Sequence, residues 1–352
     1  MKRFLLVISL VAVGLFWLPA RCPAPLVYRP GEGWTYEAVG EGRWTRARAK
    51  DQFEVAQEAF DNGKTRLAIK AARRTVRRWP LSDYAPKAQV LLGQCYEKRK
   101  YDEKAFKEYQ RAIERYPKVE GLPEILQRQY DIATRFLNGQ WFKLWGVIPF
   151  FPSMEKTAQM YAKIVRNGPF SEVGPKAQMG VAAAREKQKD YLLAVRAYEV
   201  AADRYYQDKA VASEALYRAG LAWKKQAQTA EYDQSAAGSA IATFSDFIVL
   251  YPEDGRVGEA TTIISDLKTE QSRGAYRVAQ FYEKKRRWKA AEIYYNETIS
   301  KDPESTWAAE ARRRLEFLRR RVAKAADSVS VEPSVPAPMP VVNPAEPPPE
   351  RP

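Results

Sequence analysis

The sequence predicts an all-α protein, an α-solenoid of five to six helix pairs with disordered terminal segments. Three observations carry this prediction. Small and bulky apolar residues recur at helical spacing through the middle of the chain, prolines close several of the recurring segments, and both ends differ in composition from the part between them. Because one helix pair cannot bury its own apolar face, neighbouring pairs must stack to form a common core.

Composition excludes several classes of active site. The 352 residues include no histidine, which rules out Ser-His-Asp and Cys-His nucleophile pairs and zinc sites with imidazole ligands. The two cysteines, Cys22 and Cys95, are too few for a cysteine-rich metal centre. The chain also lacks a glycine-rich phosphate loop and the acidic pattern of a calcium site. We therefore expect no enzymatic activity, no cofactor and no metal.

The first residues have the order of a secretory signal peptide. A short basic start precedes a largely apolar run of fifteen residues, Phe4 to Leu18, and a proline and an alanine follow it. This run is shorter than the roughly 20 residues that cross a bilayer, so a retained membrane anchor is the less favoured alternative. Residues 1–21 are therefore predicted to be a signal peptide.

Cys22 is the predicted lipid-attachment residue. The segment 18–22, Leu-Pro-Ala-Arg-Cys, resembles the lipobox of bacterial lipoproteins, in which the cysteine thiol receives the lipid. Arg21 is large and charged where that motif has a small residue, and this leaves ordinary cleavage after Ala20 as the alternative. With the lipid, the protein is expected to be held at the membrane by its anchor; without it, the protein is expected to be periplasmic.

Both flanking segments are rich in residues that disfavour regular packed structure. From Ser328 to Pro352 there are nine prolines among 25 residues, and residues 323–352 are predicted to be a disordered tail, either passive or a docking segment. Residues 22–46, rich in proline and glycine, are predicted to be a linker. The folded repeat region is then residues 47–322.

The repeat is best defined in residues 92–117, where the spacing is that of a tetratricopeptide unit, a pair of antiparallel helices with a period of 34 residues. Small residues, Gly93 and Ala105, are expected where the two helices cross, and Tyr109 where they interlock. Pro117 ends the second helix. The same pattern recurs at residues 174–206 and 272–303, and more weakly at 49–80 and 213–252.

The third repeat carries an insertion. Its helices are predicted at about Pro123–Leu137 and Met154–Val165, which leaves residues 138–153 between them in place of a short turn. The insertion is rich in aromatic residues, including Trp141 and Trp145, and exposing such rings to water is unfavourable. Either they fold back onto neighbouring helices or they contact a partner or a membrane surface.

Stacked helix pairs form a concave groove lined by their first helices, and such a groove suits an extended peptide or a partner helix. Lysines in it could receive a carboxylate, although ordinary surface polarity explains them equally well. Together with Trp141 and Trp145, the candidate binding residues by helical phase are Phe53, Gln57, Lys87, Gln94, Lys98, Tyr217 and Lys224.

The net charge of +15, from 58 basic and 43 acidic residues, suits an anionic partner but does not name one. Arginines cluster on two predicted helices, at residues 73–78 and 312–321. A solvated helix face explains such clusters, and an anionic lipid or acidic protein surface is the alternative. Because the signal peptide removes the chain from the cytoplasm, no nucleic-acid partner is expected.

Three segments give the chain a resemblance to the BamD family of outer-membrane assembly lipoproteins, also called YfiO. They are Arg78–Gln89 (RWPLSDYAPKAQ), Ala240–Pro252 (AIATFSDFIVLYP), and Val278–Tyr282 with Trp288–Tyr295 (VAQFY and WKAAEIYY). The resemblance implies about five tetratricopeptide-like units and a location on the periplasmic face of the outer membrane. It also implies binding to the barrel-forming insertase, to other subunits of the assembly machinery and to carboxy-terminal segments of unfolded outer-membrane proteins.

The expected function is thus a non-catalytic scaffold in outer-membrane β-barrel assembly. An exported tetratricopeptide protein that recruits or regulates a cell-wall enzyme is the alternative.

Overall fold

Helices account for most of the chain that the computed structural model describes, which comprises residues 26–29, 33–36, 44–144, 148–229 and 234–329. These residues form thirteen helices and two short antiparallel β-hairpins. The chain divides into two units, Met1–Ala201 and Ala202–Pro352. The prediction of an all-α protein built from paired helices is confirmed, with the two hairpins as additions.

The first unit contains four helix pairs. The boundary with the second unit falls in the last turn of α8. The helices are α1 (Ala49–Asp61), α2 (Thr65–Arg78), α3 (Tyr84–Lys98), α4 (Asp102–Arg115), α5 (Leu122–Leu137), α6 (Met154–Asn167), α7 (Gly174–Lys187) and α8 (Tyr191–Arg204).

The turns inside the helix pairs share one geometry. Lys100, Lys189 and Arg286 all have φ near +60°, and Gly63 has φ +73° at the corresponding turn of the first pair. At the second pair, Lys100 donates its backbone N–H to Glu97 O and Tyr101 donates to Tyr96 O, at 2.8 and 2.9 Å. This pair of bonds satisfies the last carbonyls of α3 and stops the helix.

The second pair interlocks as the sequence predicts. A Cβ added to Gly93 would lie 2.3 Å from Cε1 of Tyr109, so only glycine admits this ring. Tyr109 is fully buried and donates its hydroxyl to Glu97 Oε2 at 2.9 Å. Burial, together with the neighbouring Glu97, raises the pKa of Tyr109 well above its ordinary value.

The same bond recurs twelve residues apart in two further pairs. Tyr198 donates to Glu186 at 2.9 Å, and Tyr295 donates to Glu283 at 2.5 Å. Both rings are fully buried. Three helix pairs therefore close with a tyrosine from the second helix bonded to a glutamate at the end of the first.

The second unit contains α9 (Lys209–Thr229), α10 (Gln234–Leu250), α11 (Val257–Lys284), α12 (Trp288–Lys301) and α13 (Thr306–Val329). The 28-residue helix α11 serves two cores: Ile263 packs with Phe244 in one, and Tyr276 packs with Tyr295 in the other. The sequence predicted the sixth pair to begin at residue 272, inside α11. No proline interrupts Val257–Lys284, so one helix continues through both cores.

The structure differs from two predicted boundaries. Within the predicted linker 22–46, Leu26–Arg29 (β1) pairs with Gly33–Tyr36 (β2), where residues with high strand propensity flank a Pro-Gly sequence. Helix α13 continues to Val329, past the predicted tail start at 323, because its alanines favour helix and the first proline comes at Pro333. Cys22, the signal peptide and residues 330–352 lie outside the described residues.

Candidate functional site

A groove of about 1060 Å³ lies in the first unit between the first helices of two adjacent pairs. From α1 come Phe53 and Gln57, four residues apart, and from α3 come Lys87, Val90, Leu91 and Gln94, which share one helix face. The loops that follow α2 and α4 close the groove, and they contribute the lining residues Pro80, Leu81, Ser82, Asp83, Arg115, Tyr116, Pro117, Lys118, Val119 and Glu120.

The groove has an apolar floor and an exposed apolar rim. Leu91 and Val119 are almost fully buried at its base, and the ring of Phe53 is held by Tyr84, with the ring centroids 5.9 Å apart. At the rim, Leu81 is 98 % exposed. The rim of the groove at this point is therefore apolar as well.

One ion pair lies at the mouth of the groove. Lys87 Nζ is 3.1 Å from a carboxylate oxygen of Glu120, and both side chains are largely exposed, at 46 % and 79 %. Pairs this exposed contribute only about 0 to 1 kcal/mol. A carboxylate from a ligand can therefore replace Glu120 on Lys87 at little cost.

Two polar groups in the groove have unused hydrogen-bonding capacity. The hydroxyl of Tyr116 is buried and has no hydrogen-bond partner among the described residues, and burial raises the pKa of this phenol. A buried polar group without a partner costs about 1 to 3 kcal/mol. Gln94, on the opposite wall, likewise makes no side-chain hydrogen bond within the described chain. Gln94, which is partly exposed, is available to a ligand's backbone.

Four of the nine predicted binding residues line this groove: Phe53, Gln57, Lys87 and Gln94. Lys98 lies outside the lining, with its ammonium 4.9 Å from the ring centroid of Phe60. Their role in binding stays a prediction.

The two candidates on α9 belong to the second unit, and the predicted position of Tyr217 is wrong. Tyr217 is only 6 % exposed, because it packs against Phe244 and Phe247 beneath the guanidinium of Arg256. Burial, with Glu259 nearby, raises its pKa to about 12. Lys224 is half-buried on the same helix.

The aromatic insertion of the third repeat forms a β-hairpin, β3 (Phe142–Leu144) with β4 (Ile148–Phe151). Folding back onto a neighbouring helix is observed for Phe142, whereas contact of the insertion with a partner or a membrane stays a prediction. Phe142 folds back and stacks on Phe136, with the ring centroids 4.1 Å apart, whereas Trp141 remains 52 % exposed. Trp145 lies outside the described residues.

Sequence reasoning missed the loop residues of the groove, above all Tyr116 and Leu81. One signal for them was present: an aromatic residue precedes proline at the end of several pairs, as in Trp79-Pro80 and Tyr116-Pro117. This position marks where the chain leaves the second helix and turns toward the next first helix.

The described residues offer neither a metal-binding cluster nor a membrane-spanning helix. Within ranges 44–144, 148–229 and 234–329, no three His, Cys, Asp or Glu side chains are grouped so that they could hold a metal ion. No helix in the described chain combines the length and the apolar character that crossing a membrane requires.

Comparison with known proteins gives two family matches. Residues 153–301 match the YfiO family, described as outer membrane lipoproteins, and residues 87–118 match a tetratricopeptide repeat family. The second match covers α3 and α4, which include much of the groove. No curated protein matches the chain.

Several solved structures are similar at low sequence identity. The C-terminal part of a tetratricopeptide repeat protein from Cytophaga hutchinsonii is 16% identical, with 75% of this chain and 87% of that chain covered and a TM-score of 0.34. MamA from Desulfovibrio magneticus RS-1 is 10% identical, covering 60% and 98%, with a TM-score of 0.31. A tetratricopeptide repeat protein from Parabacteroides merdae is 13% identical, covering 77% and 98%, with a TM-score of 0.29.

Proposed function

We propose that the protein is a non-catalytic scaffold of outer-membrane β-barrel assembly, because residues 153–301 match the YfiO family and residues 87–118 match a tetratricopeptide repeat family. It works on the periplasmic face of the outer membrane, held there by a lipid on Cys22. Its groove binds segments of unfolded barrel proteins, and other surfaces bind the barrel-forming insertase and further subunits of the machinery. It acts by binding alone, without cofactor or metal.

The observation that carries this proposal is the groove between α1 and α3. An unfolded barrel segment is extended, carries apolar side chains on one face, and has backbone N–H and C=O groups without partners. The groove offers an apolar wall at Phe53 and Val90, and it offers the side-chain amide of Gln94 for the segment's backbone. These are the two kinds of contact by which extended peptides are recognised.

The charges at the groove mouth favour a segment that ends in a free carboxylate. Lys87 is held only by the exposed Glu120, and Arg115 and Lys118 line the same loop. A terminal carboxylate that displaces Glu120 gains a charge-assisted hydrogen bond to Lys87. The proposal therefore assigns the peptide's carboxy-terminal end to this side of the groove.

Peptide binding tests the role of the groove. A labelled peptide with the sequence of the last strand of an outer-membrane barrel protein is titrated with the protein, and binding is followed by fluorescence anisotropy. Phe53→Ala is expected to weaken binding at least about tenfold, because burying one aromatic ring is worth about 1.5 to 3 kcal/mol.

Phe60→Ala is the matched control for this titration. Phe60 lies on the same helix and packs partly against the same core as Phe53, but it does not line the groove. The Kd of the Phe60→Ala variant for the peptide is expected to stay within about a factor of two of the wild-type value. A substitution that is remote from the groove leaves the contacts in the groove unchanged. Equal Kd values for wild type and Phe53→Ala would contradict peptide binding in this groove.

Affinity purification tests the scaffold role. Tagged protein purified from detergent-solubilised cell envelopes is expected to recover a large barrel protein, identified by mass spectrometry. Recovery of peptidoglycan enzymes without a barrel protein would reject the assembly role and support recruitment of a cell-wall enzyme instead.

A further inference from the structure

Helix α2 carries an unusual charge distribution. Its fourteen residues, Thr65–Arg78, include five arginines and one lysine but no aspartate or glutamate. The apolar side of the helix is buried, with Ala68, Ile69 and Ala72 in the core. Five of the six basic residues lie on the exposed side of the helix, and Arg74 is partly buried.

Four of these basic residues form one straight row. Arg66, Lys70, Arg73 and Arg77 are all exposed, and they follow one another at intervals of four, three and four residues. At 1.5 Å per residue the row is about 16 Å long. We call these four residues the α2 basic row.

The α2 basic row has no carboxylate partner within the described chain. Arg73 donates to the hydroxyl of Tyr96 at 2.5 Å, a neutral acceptor, and none of the four takes part in an ion pair with another described residue. Like charges four residues apart on a helix destabilise it. The row is thus unfavourable for the isolated protein, which indicates a partner that compensates the charge.

Two other helices of the described chain balance most of their exposed cations with carboxylates. On α4, Lys107 pairs with Glu103 and Arg111 with Glu108. On α13, which also carries six arginines, four of them pair with glutamates. These pairs are Arg313 with Glu310, Arg314 with Glu283, Arg319 with Glu292, and Arg320 with Glu316. Among these basic helices, α2 stands apart because its row lacks acidic neighbours.

We propose that the α2 basic row adsorbs to an anionic phospholipid surface. The observation that favours lipid over an acidic protein is the absence of apolar residues on this face: none of the large exposed hydrophobic side chains of the described chain lies on α2. The buried centre of a protein interface is apolar and poor in charges, whereas adsorption to lipid phosphates needs only charges in a row or plane.

The position of α2 in the chain suits this role. The first helix pair follows the predicted lipid-attachment residue Cys22, with the β1–β2 hairpin between them. A lipid on Cys22 and a basic face on the nearest helix pair supply two weak membrane signals, and two such signals together give stable attachment where one gives only reversible binding. The basic row does not depend on the groove, so it is tested separately.

Vesicle binding tests the proposal in a full-length mature chain with Cys22→Ala, so that no lipid contributes. Vesicles of phosphatidylglycerol with phosphatidylcholine are compared with vesicles of phosphatidylcholine alone, by co-sedimentation. We expect binding to the anionic vesicles only. Binding should be largely lost between about 0.05 and about 0.5 M salt, because salt screens exposed charges.

The variant Arg66→Gln/Lys70→Gln/Arg77→Gln removes three charges of the row and leaves Arg73 with its Tyr96 contact. Each basic residue near an anionic surface contributes to the free energy of adsorption. The loss of three such contributions is expected to lower the partition coefficient roughly a hundred-fold. The matched control is Lys104→Gln/Lys107→Gln/Arg111→Gln, which makes the same charge change on the exposed side of α4. The control is expected to bind within about threefold of the parent, because Lys107 and Arg111 are already paired with glutamates and Lys104 lies over the ring of Tyr101.

Circular dichroism melting of both triple variants establishes that they fold. Three results would overturn the proposal: no binding of the parent to anionic vesicles, equal binding by the α2 and α4 variants, or binding of the parent to poly-glutamate but not to vesicles. The last result would assign the row to an acidic protein.

Discussion

Gly93→Ala is expected to lower the free energy of unfolding of the first unit by about 3 kcal/mol, since inserting one methyl into a close-packed core typically costs about 1 to 3 kcal/mol and sometimes more. The added Cβ would lie 2.3 Å from Cε1 of Tyr109, so the buried ring must move. Moving it also breaks the 2.9 Å hydrogen bond from Tyr109 to Glu97. Thermal unfolding followed by circular dichroism measures the effect.

The matched control is Gly238→Ala in α10, where a Cβ would meet nothing within 4 Å. There alanine is expected to stabilise the helix by about 0.5 to 1 kcal/mol, its ordinary advantage over glycine. The same substitution is thus expected to have opposite signs at the two sites. A neutral or stabilising Gly93→Ala would contradict the close packing of α3 against α4.

Arg256→Gln is expected to destabilise the second unit by about 2 kcal/mol. This is less than the usual cost of breaking a buried ion pair, because the arginine is partly exposed. Arg256 donates to Asp254 through Nε and Nη2, at 2.9 and 2.8 Å, and also binds Glu214. Its guanidinium covers the ring of Tyr217, 4.7 Å from the centroid. Glutamine keeps the stem but loses the charge, which leaves Asp254 without a cation.

The pH dependence of this effect follows from Asp254, whose pKa is held well below its usual range by the hydrogen bond from the Arg256 side chain. Because the folded-state pKa lies below the unfolded value of roughly 4, the stabilisation is present above about pH 4 and is lost as the pH falls through the folded-state value. The difference between wild type and Arg256→Gln should therefore shrink in acid below about pH 4, in urea titrations at a series of pH values.

Arg313→Gln is the control for the loss of charge. Its ion pair with Glu310 is highly exposed, at 80 % and 42 %, so its loss is expected to change stability by less than about 1 kcal/mol. If Arg256→Gln lowered the free energy of unfolding as little as this control does, Arg256 would not be important for the stability of the second unit.

Sequence patterns predicted the groove only where regular helices form it. Phe53, Gln57, Lys87 and Gln94 were found by helical phase, because residues spaced by three and four share a face wherever the helix runs regularly. The same reasoning failed for Tyr217. Its helix packs against both α10 and α11, so the face that would be open in a simple pair is covered.

The groove residues in loops and the pairing of the charged residues could be identified only from the tertiary structure. Tyr116 and Leu81 line the groove because of the path that two loops take between helices, and no local periodicity encodes that path. Similarly, the arginine clusters on α2 and α13 look alike in the sequence. They differ in three dimensions, since Arg314 reaches Glu283 across 31 residues of chain while the α2 basic row reaches no carboxylate of the described chain.

Local residue spacing, which acts within one or two helices, is enough to predict the paired-helix repeat, and composition is enough to exclude histidine-dependent chemistry. The three-dimensional fold was needed to find that, among the described residues, the Tyr116 hydroxyl has no hydrogen-bond partner and the α2 basic row has no carboxylate partner. The physical reason is distance along the chain: helix formation depends on neighbours three or four residues away, whereas the pairing of a buried hydroxyl or an arginine depends on segments that only folding brings together.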